Sequence, residues 1–278
     1  MAFSIGINEL KDVSTLLADR TGYPFSDMPL SFLKRRMNIF FERNRIRNVE
    51  HFTEQLDNNM FVETFLYSIS ADCTEMFRDP GFWRSLNHKV LPKINHSTLP
   101  VWFPDAVSGH ELYSFLIIDR INNPESPKAV MFTHPSAQRI SEISEGKLFD
   151  RNDELTDSNF KRLEIEVLLT DYISSDNNTN YLSSNLLKNA KGEKGWYLST
   201  PSFGNQFSLI VFRNVMLYTN RALQEKIGNH LYQLLSPGGF LAIGIKESLP
   251  ENLADKMEMV DEQERIFKKP GILNNNGI

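Results

Sequence analysis

The feature that most constrains this fold is a change of hydrophobic rhythm near Pro100. Up to about residue 93, apolar residues recur at helical spacing. Leu10, Val13, Leu16 and Leu17 mark a first helix, which Pro24 and Pro29 close. A second runs from about Pro29 to Asn48, with Phe32, Leu33, Met37, Phe40 and Phe41 as its apolar stripe. HFTEQL (51–56) and MFVETFLYSIS (60–70) predict two more, and GFWRSLNHKVL (81–91) a short one before Pro92. The polar stretch KINHST (93–98), between two prolines, is the candidate linker.

Beyond Pro100, short apolar runs alternate with amphipathic segments. VWF (101–103), AVMFT (129–133), FSLIVF (207–212) and FLAIGI (240–245) read as strands, and ERIFKK (264–269) as a last edge strand. SGHELYSFLIIDRI (108–121), SAQRISEISEG (136–146) and 220–235 read as helices, with Ser236-Pro-Gly-Gly239 stopping the last. Such alternation predicts an α/β, doubly wound sheet whose ligands bind at the carboxyl ends of its strands. The expected domains are a helical one over 1–97 and a sheet domain over 98–278. The polar stretch 148–200 resists reading. At 278 residues the chain can bury a core without metal or disulfide staples. A single cysteine, Cys73, excludes a disulfide scaffold and Cys-based zinc sites. The start lacks the marks of a signal peptide, and no apolar run nears the eighteen or so residues of a membrane span. A cytoplasmic protein is expected. The net charge of -5 speaks against a general nucleic-acid binder.

Three stretches together resemble the chemotaxis-receptor (CheR-type) protein-glutamate O-methyltransferases. CTEMFRDPGFW (73–83) is similar to that family's Thr-x-x-Phe-Arg-Asp-Pro-x-x-Phe segment. VWFPDAVSGHELYS (101–114) resembles its Trp-Ser-x-x-x-Ser-x-Gly-Glu-Glu-Pro-Tyr-Ser cofactor loop. LIVFRNVMLYTN (209–220) and LLSPGGFLAIGIKESL (234–249) match its Cys-Arg-Asn-Val-Met-Ile-Tyr-Phe and Leu-x-Pro-Gly-Gly runs. The resemblance covers residues 8 to about 249. It implies a small helical domain followed by a Rossmann-like sheet of the class I S-adenosylmethionine (SAM) methyltransferase type. The implied reaction moves a methyl group from SAM to a glutamate carboxylate. By the same resemblance, Arg78 would orient the carboxylate and Tyr218 would lie near the transferred methyl. Thr74, Ala106, Gly109, His110, Glu111, His134, Asn214 and Val215 would hold the cofactor. The plain alternatives are that Arg78 pairs with Asp79 or an interdomain carboxylate and that Tyr218 is core.

The chain departs from the family where the cofactor matters. Pro104 lacks an N–H, Asp105 adds a negative charge where the family has a small residue, and His110 replaces the first glutamate of the Glu-Glu pair. Where a nucleotide-binding fold places an acidic residue on the ribose diol, this chain has Thr133-His134-Pro135, with no acid between Pro127 and Glu142. Losing that charge-assisted pair should cost about 1.5–3 kcal/mol, one to two decades of affinity. His110 and His134 are expected near each other, yet two histidines without a third ligand do not make a metal site.

Residues 34–47, KRRMNIFFERNRIR, carry six basic residues against one acidic, a local charge of +5. By resemblance, Lys34, Arg35, Arg36, Arg43 and Arg45 could contact an acidic helical segment of a receptor or other protein; a solvated face is the alternative. Two functions remain open: a divergent methyltransferase, or a pseudo-enzyme that keeps fold and partner surface as a scaffold or regulator.

Overall fold

A computed structural model describes residues 3–69, 75–148, 153–177 and 179–271. The first four helices are α1 (Ile7–Thr21), α2 (Leu30–Arg43), α3 (Val49–Gln55) and α4 (Asn59–Ile69). The second ends at Arg43, not near Asn48 as its stripe suggests. Arg45 turns left-handed, and Asn48 caps α3 by accepting the His51 amide at 2.9 Å. The segment 80–94 is one nearly continuous rod: α5 (Pro80–Ser85), a wide π turn (Leu86–Val90) and α6 (Leu91–Ile94). The stretch read as a linker is tied down at its start, because Ile94 is buried and its carbonyl accepts Lys128 Nζ at 3.1 Å.

Nine strands follow among the described residues: β1 (Val101–Phe103), β2 (Val130–His134), β3 (Ile173–Asp176), β4 (Thr179–Leu182), β5 (Ala190–Lys194), β6 (Phe207–Phe212), β7 (Leu235–Ile243), β8 (Glu258–Asp261) and β9 (Ile266–Lys268). Between them lie α7 (His110–Asn122), α8 (Ala137–Ser144), α9 (Asp153–Lys161), α10 (Ser184–Leu187), α11 (Arg221–Leu234) and α12 (Glu251–Ala254). Seven strands form one sheet in the order β5-β2-β1-β6-β7-β9-β8, and β3-β4 pair apart as a hairpin. The first five of the seven run parallel, and β9 is antiparallel to both its neighbours. The FSLIVF and VWF strands stand where their apolar runs predict. Three details differ. The strand expected from FLAIGI already begins at Leu235, so Ser236-Pro-Gly-Gly239 is inside it. The segment read as an edge strand lies inside the sheet, and the edge is β8. The other edge strand, β5, lies in the unreadable region because its sequence, AKGEK, has no apolar run. Its Gly192 is required, since a Cβ there would come within 2.5 Å of the Phe132 ring.

Period-two alternation divides the sheet between two cores. Trp102, Ile210, Phe212, Leu241 and Ile243 join one, with Leu223, Ile227 and Leu231 of α11 and the apolar stripes of α1–α4. Val101, Phe103, Leu209, Val211, Phe240 and Ala242 join the other, with α7 and the 76–94 segment. The N-terminal helices therefore cover one face, and the rod 80–94 covers the opposite one. Phe40, Phe52, Phe61 and Phe65 meet with ring centroids 5.1 to 6.2 Å apart. Burying each such ring contributes roughly 1.5–3 kcal/mol. Among the described residues no helix is long and apolar enough to cross a membrane.

Candidate functional site

Strand order reverses between β1 and β6: β1 leads outward to β2, and β6 leads the other way to β7. At such a switch point the loops leaving adjacent strands diverge and open a crevice. A cleft of about 640 Å³, counting its open mouth, lies there. Its walls are the turn Phe103–Gly109, the start of α7, the segment Arg213–Val215 with Tyr218, and Arg78 from ahead of α5.

The cleft is framed by strained backbone. Among the described residues, Phe77, Asp79, Asp105 and Asn214 are non-glycine residues with φ between +53° and +62°. All four are in or directly beside the cleft wall. Such conformations cost on the order of 1 kcal/mol or more and persist where surroundings over-determine them. Two buried side chains do so. The Arg213 side chain is fully buried; it donates to Glu111 Oε1 at 2.7 Å and to Asp79 Oδ2 at 2.6 Å, and its guanidinium stacks 3.9 Å from the Phe82 ring centre. It thus ties the strained Asp79 turn to the first turn of α7. Glu247, also buried, accepts the amides of Gly244 (2.6 Å), Asn214 (3.0 Å) and Leu217 (3.3 Å), fixing the loop after β6. Burial pushes the carboxyls of Glu247 and Glu111 up, against those amides in one case and Arg213 in the other.

Of the residues singled out from sequence, Arg78, Ala106, Gly109, His110, Glu111, Asn214, Val215 and Tyr218 all line this cleft. Arg78 is half exposed and lies 3.8 Å from Glu75, so the simple pair with Asp79 is not what forms; Asp79 goes to Arg213. Tyr218 is neither free nor fully core: it stacks on Phe32 with centroids 4.4 Å apart while facing the cleft. Gly109 caps α7 with φ +77°, and a Cβ there would meet the Tyr113 ring at 2.7 Å. His110 Nδ1 bonds Ser108 Oγ at 2.8 Å. The Ala106 amide is turned to the Thr133 carbonyl at 2.9 Å, so it does not face a ligand. Thr74 falls outside the described residues. Arg213 and Glu247 carry the site's frame without having been singled out, although both stand inside the recognised runs FRNV and KESL. Among the basic residues, Arg35, Arg43 and Arg45 are exposed and Lys34 is half-buried. Arg36 departs from expectation, because its guanidinium donates to the Ser68 and Ile69 carbonyls at the end of α4.

The carboxyl end of β2 is built differently. His134, expected beside the cofactor, is not on the cleft wall; it is fully buried, and its Nδ1 accepts the Ser136 amide at 3.0 Å. Burial pushes it down to about 3, with the charge of Arg139 adding to the effect, so it is neutral at physiological pH. Above it, α4 docks on the start of α8. Glu63 accepts Ser136 Oγ at 2.5 Å and the Gln138 amide at 3.1 Å, and Arg139 lies 4.0 Å from the Tyr67 ring centre. No group of three or more His, Cys, Asp or Glu among the described residues is placed to hold a metal.

A second cavity, about 420 Å³ counting its open mouth, adjoins the cleft and shares Asp105, Val107, Asn214, Val215 and Tyr218 with it. Its remaining wall comes from Tyr23, Met28, Phe32, Ile69, Tyr197 and Thr219. Asp105 is buried and pushed up to about 6 by that burial, with Tyr23 OH donating to its Oδ2 at 3.1 Å. Its Oδ1 and the Tyr197 hydroxyl have no hydrogen-bond partner among the described residues.

The family model for the CheR methyltransferase, SAM binding domain, matches residues 72–266. The chain is 24% identical to a Pseudomonas putida protein provisionally named methyltransferase Cher3, over 89% of this chain and 91% of that one. It is 23% identical to a chemotaxis protein methyltransferase of Vibrio parahaemolyticus (93% and 95% covered) and 23% identical to one of Borreliella burgdorferi (90% and 93%).

Proposed function

This chain belongs to the CheR methyltransferase family, and from that premise we propose that it is a protein-binding regulator on the family's scaffold, with ordinary use of SAM lost. One observation carries the reading: the state of His134 at the carboxyl end of β2. That is where a nucleotide-binding fold offers a carboxylate to the ribose diol. Here a neutral imidazole is wholly buried, with its one acceptor nitrogen taken by the Ser136 amide. Glu63, whose carboxylate sits over the start of α8, is engaged with Ser136, Gln138 and Lys194 and lines neither cavity. The residues present therefore do not fit SAM as the family's fold would hold it.

The partner surface is the basic flank of α2 and the turn beyond it. Arg35 in the first half of α2, Arg43 at its end and Arg45 in the turn offer exposed positive charge on an otherwise acidic chain, with half-buried Lys34 next to Arg35. An acidic helical segment of a receptor or another cytoplasmic protein complements that charge. Such exposed contacts set encounter rate and salt dependence more than raw affinity.

A second reading, methyl transfer to a glutamate carboxylate, is favoured by a separate observation. Arg78, Glu111, Asn214 and Tyr218 still converge on one cleft, where Arg78 could orient a carboxylate. Calorimetric titration with SAM and with its demethylated product separates the two. The regulator reading expects binding at least one to two decades weaker than low-micromolar, the loss that goes with an absent ribose carboxylate. Low-micromolar or tighter binding of either compound would overturn it and leave methyl transfer standing.

A further inference from the structure

The second cavity shares Asn214, Val215 and Tyr218 with the cleft and adds a wall of its own. Four aromatic rings line it: Tyr23, Phe32, Tyr197 and Tyr218. They come in two pairs, Phe32 stacked on Tyr218 at 4.4 Å and Tyr23 edge-on to Tyr197 at 5.9 Å. Met28, Ile69, Val107 and Val215 complete an apolar wall. The one acidic group in that wall is Asp105, 8% exposed, held left-handed by its loop, with one carboxylate oxygen satisfied by Tyr23 and the other unpartnered among the described residues. No lysine or arginine forms an ion pair with it among those residues, although Arg78 and Arg213 stand elsewhere on the adjoining cleft. A buried carboxylate without a cation is an expensive arrangement unless something supplies the charge. Tyr197, buried beside it, holds a second unpartnered polar atom.

Aromatic rings around a carboxylate are the recognition chemistry of alkylated ammonium ions. The ring quadrupoles attract a diffuse positive charge, the apolar wall accepts its methyl groups, and the carboxylate neutralises it. We infer that the cavity between Tyr23, Phe32, Tyr197, Tyr218 and Asp105 is a binding site for a small organic cation bearing a methylated ammonium group. The inference rests on the wall of this cavity, whereas the loss of SAM use rests on the end of β2, which lines neither cavity.

The test compares choline with its neutral isostere 3,3-dimethylbutan-1-ol on the full-length protein, by calorimetry and by the fluorescence of Trp196, whose ring lies 5.4 Å from that of Tyr23. Choline is expected to bind saturably and at least tenfold tighter than the alcohol. Asp105→Asn should cut that preference by at least about threefold, leaving the part that the rings supply. Asparagine tolerates the left-handed backbone that Asp105 adopts, and an unchanged far-ultraviolet spectrum confirms the fold of the variant. Equal affinity for the two probes, no saturable choline binding, or a preference undiminished in Asp105→Asn would overturn the inference. Choline binding without SAM binding supports both proposals. Choline binding together with tight SAM binding overturns only the regulator reading, and tight SAM binding without choline binding overturns both.

Discussion

The carboxyl ends of β1 and β6 and the carboxyl end of β2 lie along one edge of one sheet, yet they are finished in opposite ways. At β1 and β6 the wall is open, strained and charged, and buried Arg213 and Glu247 hold it in shape. At β2 the backbone is unstrained, the one titratable ring is buried and neutral, and α4 is fastened over the top. The contrast separates two demands that a working nucleotide site makes together. One is a shaped crevice, which buried ion pairs can maintain without any ligand. The other is an exposed anchor for the nucleotide's sugar, which the described residues at the end of β2 do not present. Keeping the first without the second is what the proposed scaffold role needs.

The largest expected effect breaks the open side. Arg213→Ala removes a fully buried guanidinium and leaves Asp79 and Glu111 without their partner. Losing one member of such a buried ionic cluster costs about 3–5 kcal/mol. Urea unfolding should show it, and a loss below about 1 kcal/mol would mean that the strained turn at Asp79 is held by something else. Arg213→Met, which keeps an apolar chain over Phe82, should cost less than alanine but remain strongly destabilising.

A smaller effect sharpens the comparison through pH, because the two ends titrate in opposite senses. Asp105 has its folded value raised to about 6. Its contribution to stability is therefore fully present below the unfolded value, near 3.9, and is lost as pH rises through about 6. His134 has its folded value lowered to about 3. Its contribution is present above the unfolded value, near 6.5, and is lost as pH falls toward 3. Between pH 6 and 4 the two largely cancel, each with a slope on the order of 1 kcal/mol per pH unit. Tyr23 and Tyr197, which face Asp105, are both pushed up by burial and stay neutral throughout. Relative to wild type, Asp105→Asn should lose stability on acidification over this range and His134→Asn should gain it. Unfolding free energies at four or five pH values, taken as differences from wild type, cancel the remaining groups. Parallel profiles for the two variants would refute the assignment.

The same contrast explains what could be read from the residues alone. The sheet's central strands are legible because buried parallel strands require continuous apolar runs such as FSLIVF. The edge strand AKGEK is not, because half of it faces solvent and its identity depends on Gly192 fitting against Phe132. On the open side, Arg78, Asn214 and Tyr218 are legible through recognised runs, and all reach one cleft. Arg213 stands in the same run, but its task depends on Asp79 and Glu111, 134 and 102 residues away. On the β2 side, the missing acid is visible in Thr133-His134-Pro135. The closure by Glu63 is not, because it joins helix and sheet segments 73 residues apart. Arg36 shows the limit in the other direction: its charge suggests a partner, and only the fold reveals that it finishes α4.

The smallest expected effect distinguishes two tyrosines on the wall of the second cavity, which adjoins the open side. Tyr23 OH donates to Asp105, so Tyr23→Phe strips the carboxylate of its one side-chain donor among the described residues; a hydrogen bond to a charged group is worth about 1.5–3 kcal/mol. Tyr197 OH is buried with no partner among the described residues. Removing a hydroxyl that bonds to nothing relieves its desolvation penalty and leaves the ring's contacts with Trp196 and Phe212 in place. Tyr197→Phe should therefore be neutral or stabilise by up to about 1 kcal/mol at pH 7.5, the opposite sign to Tyr23→Phe. If urea unfolding shows the two variants losing stability equally, the Tyr197 hydroxyl has a partner in solution, and the apolar character assigned to this cavity wall is wrong.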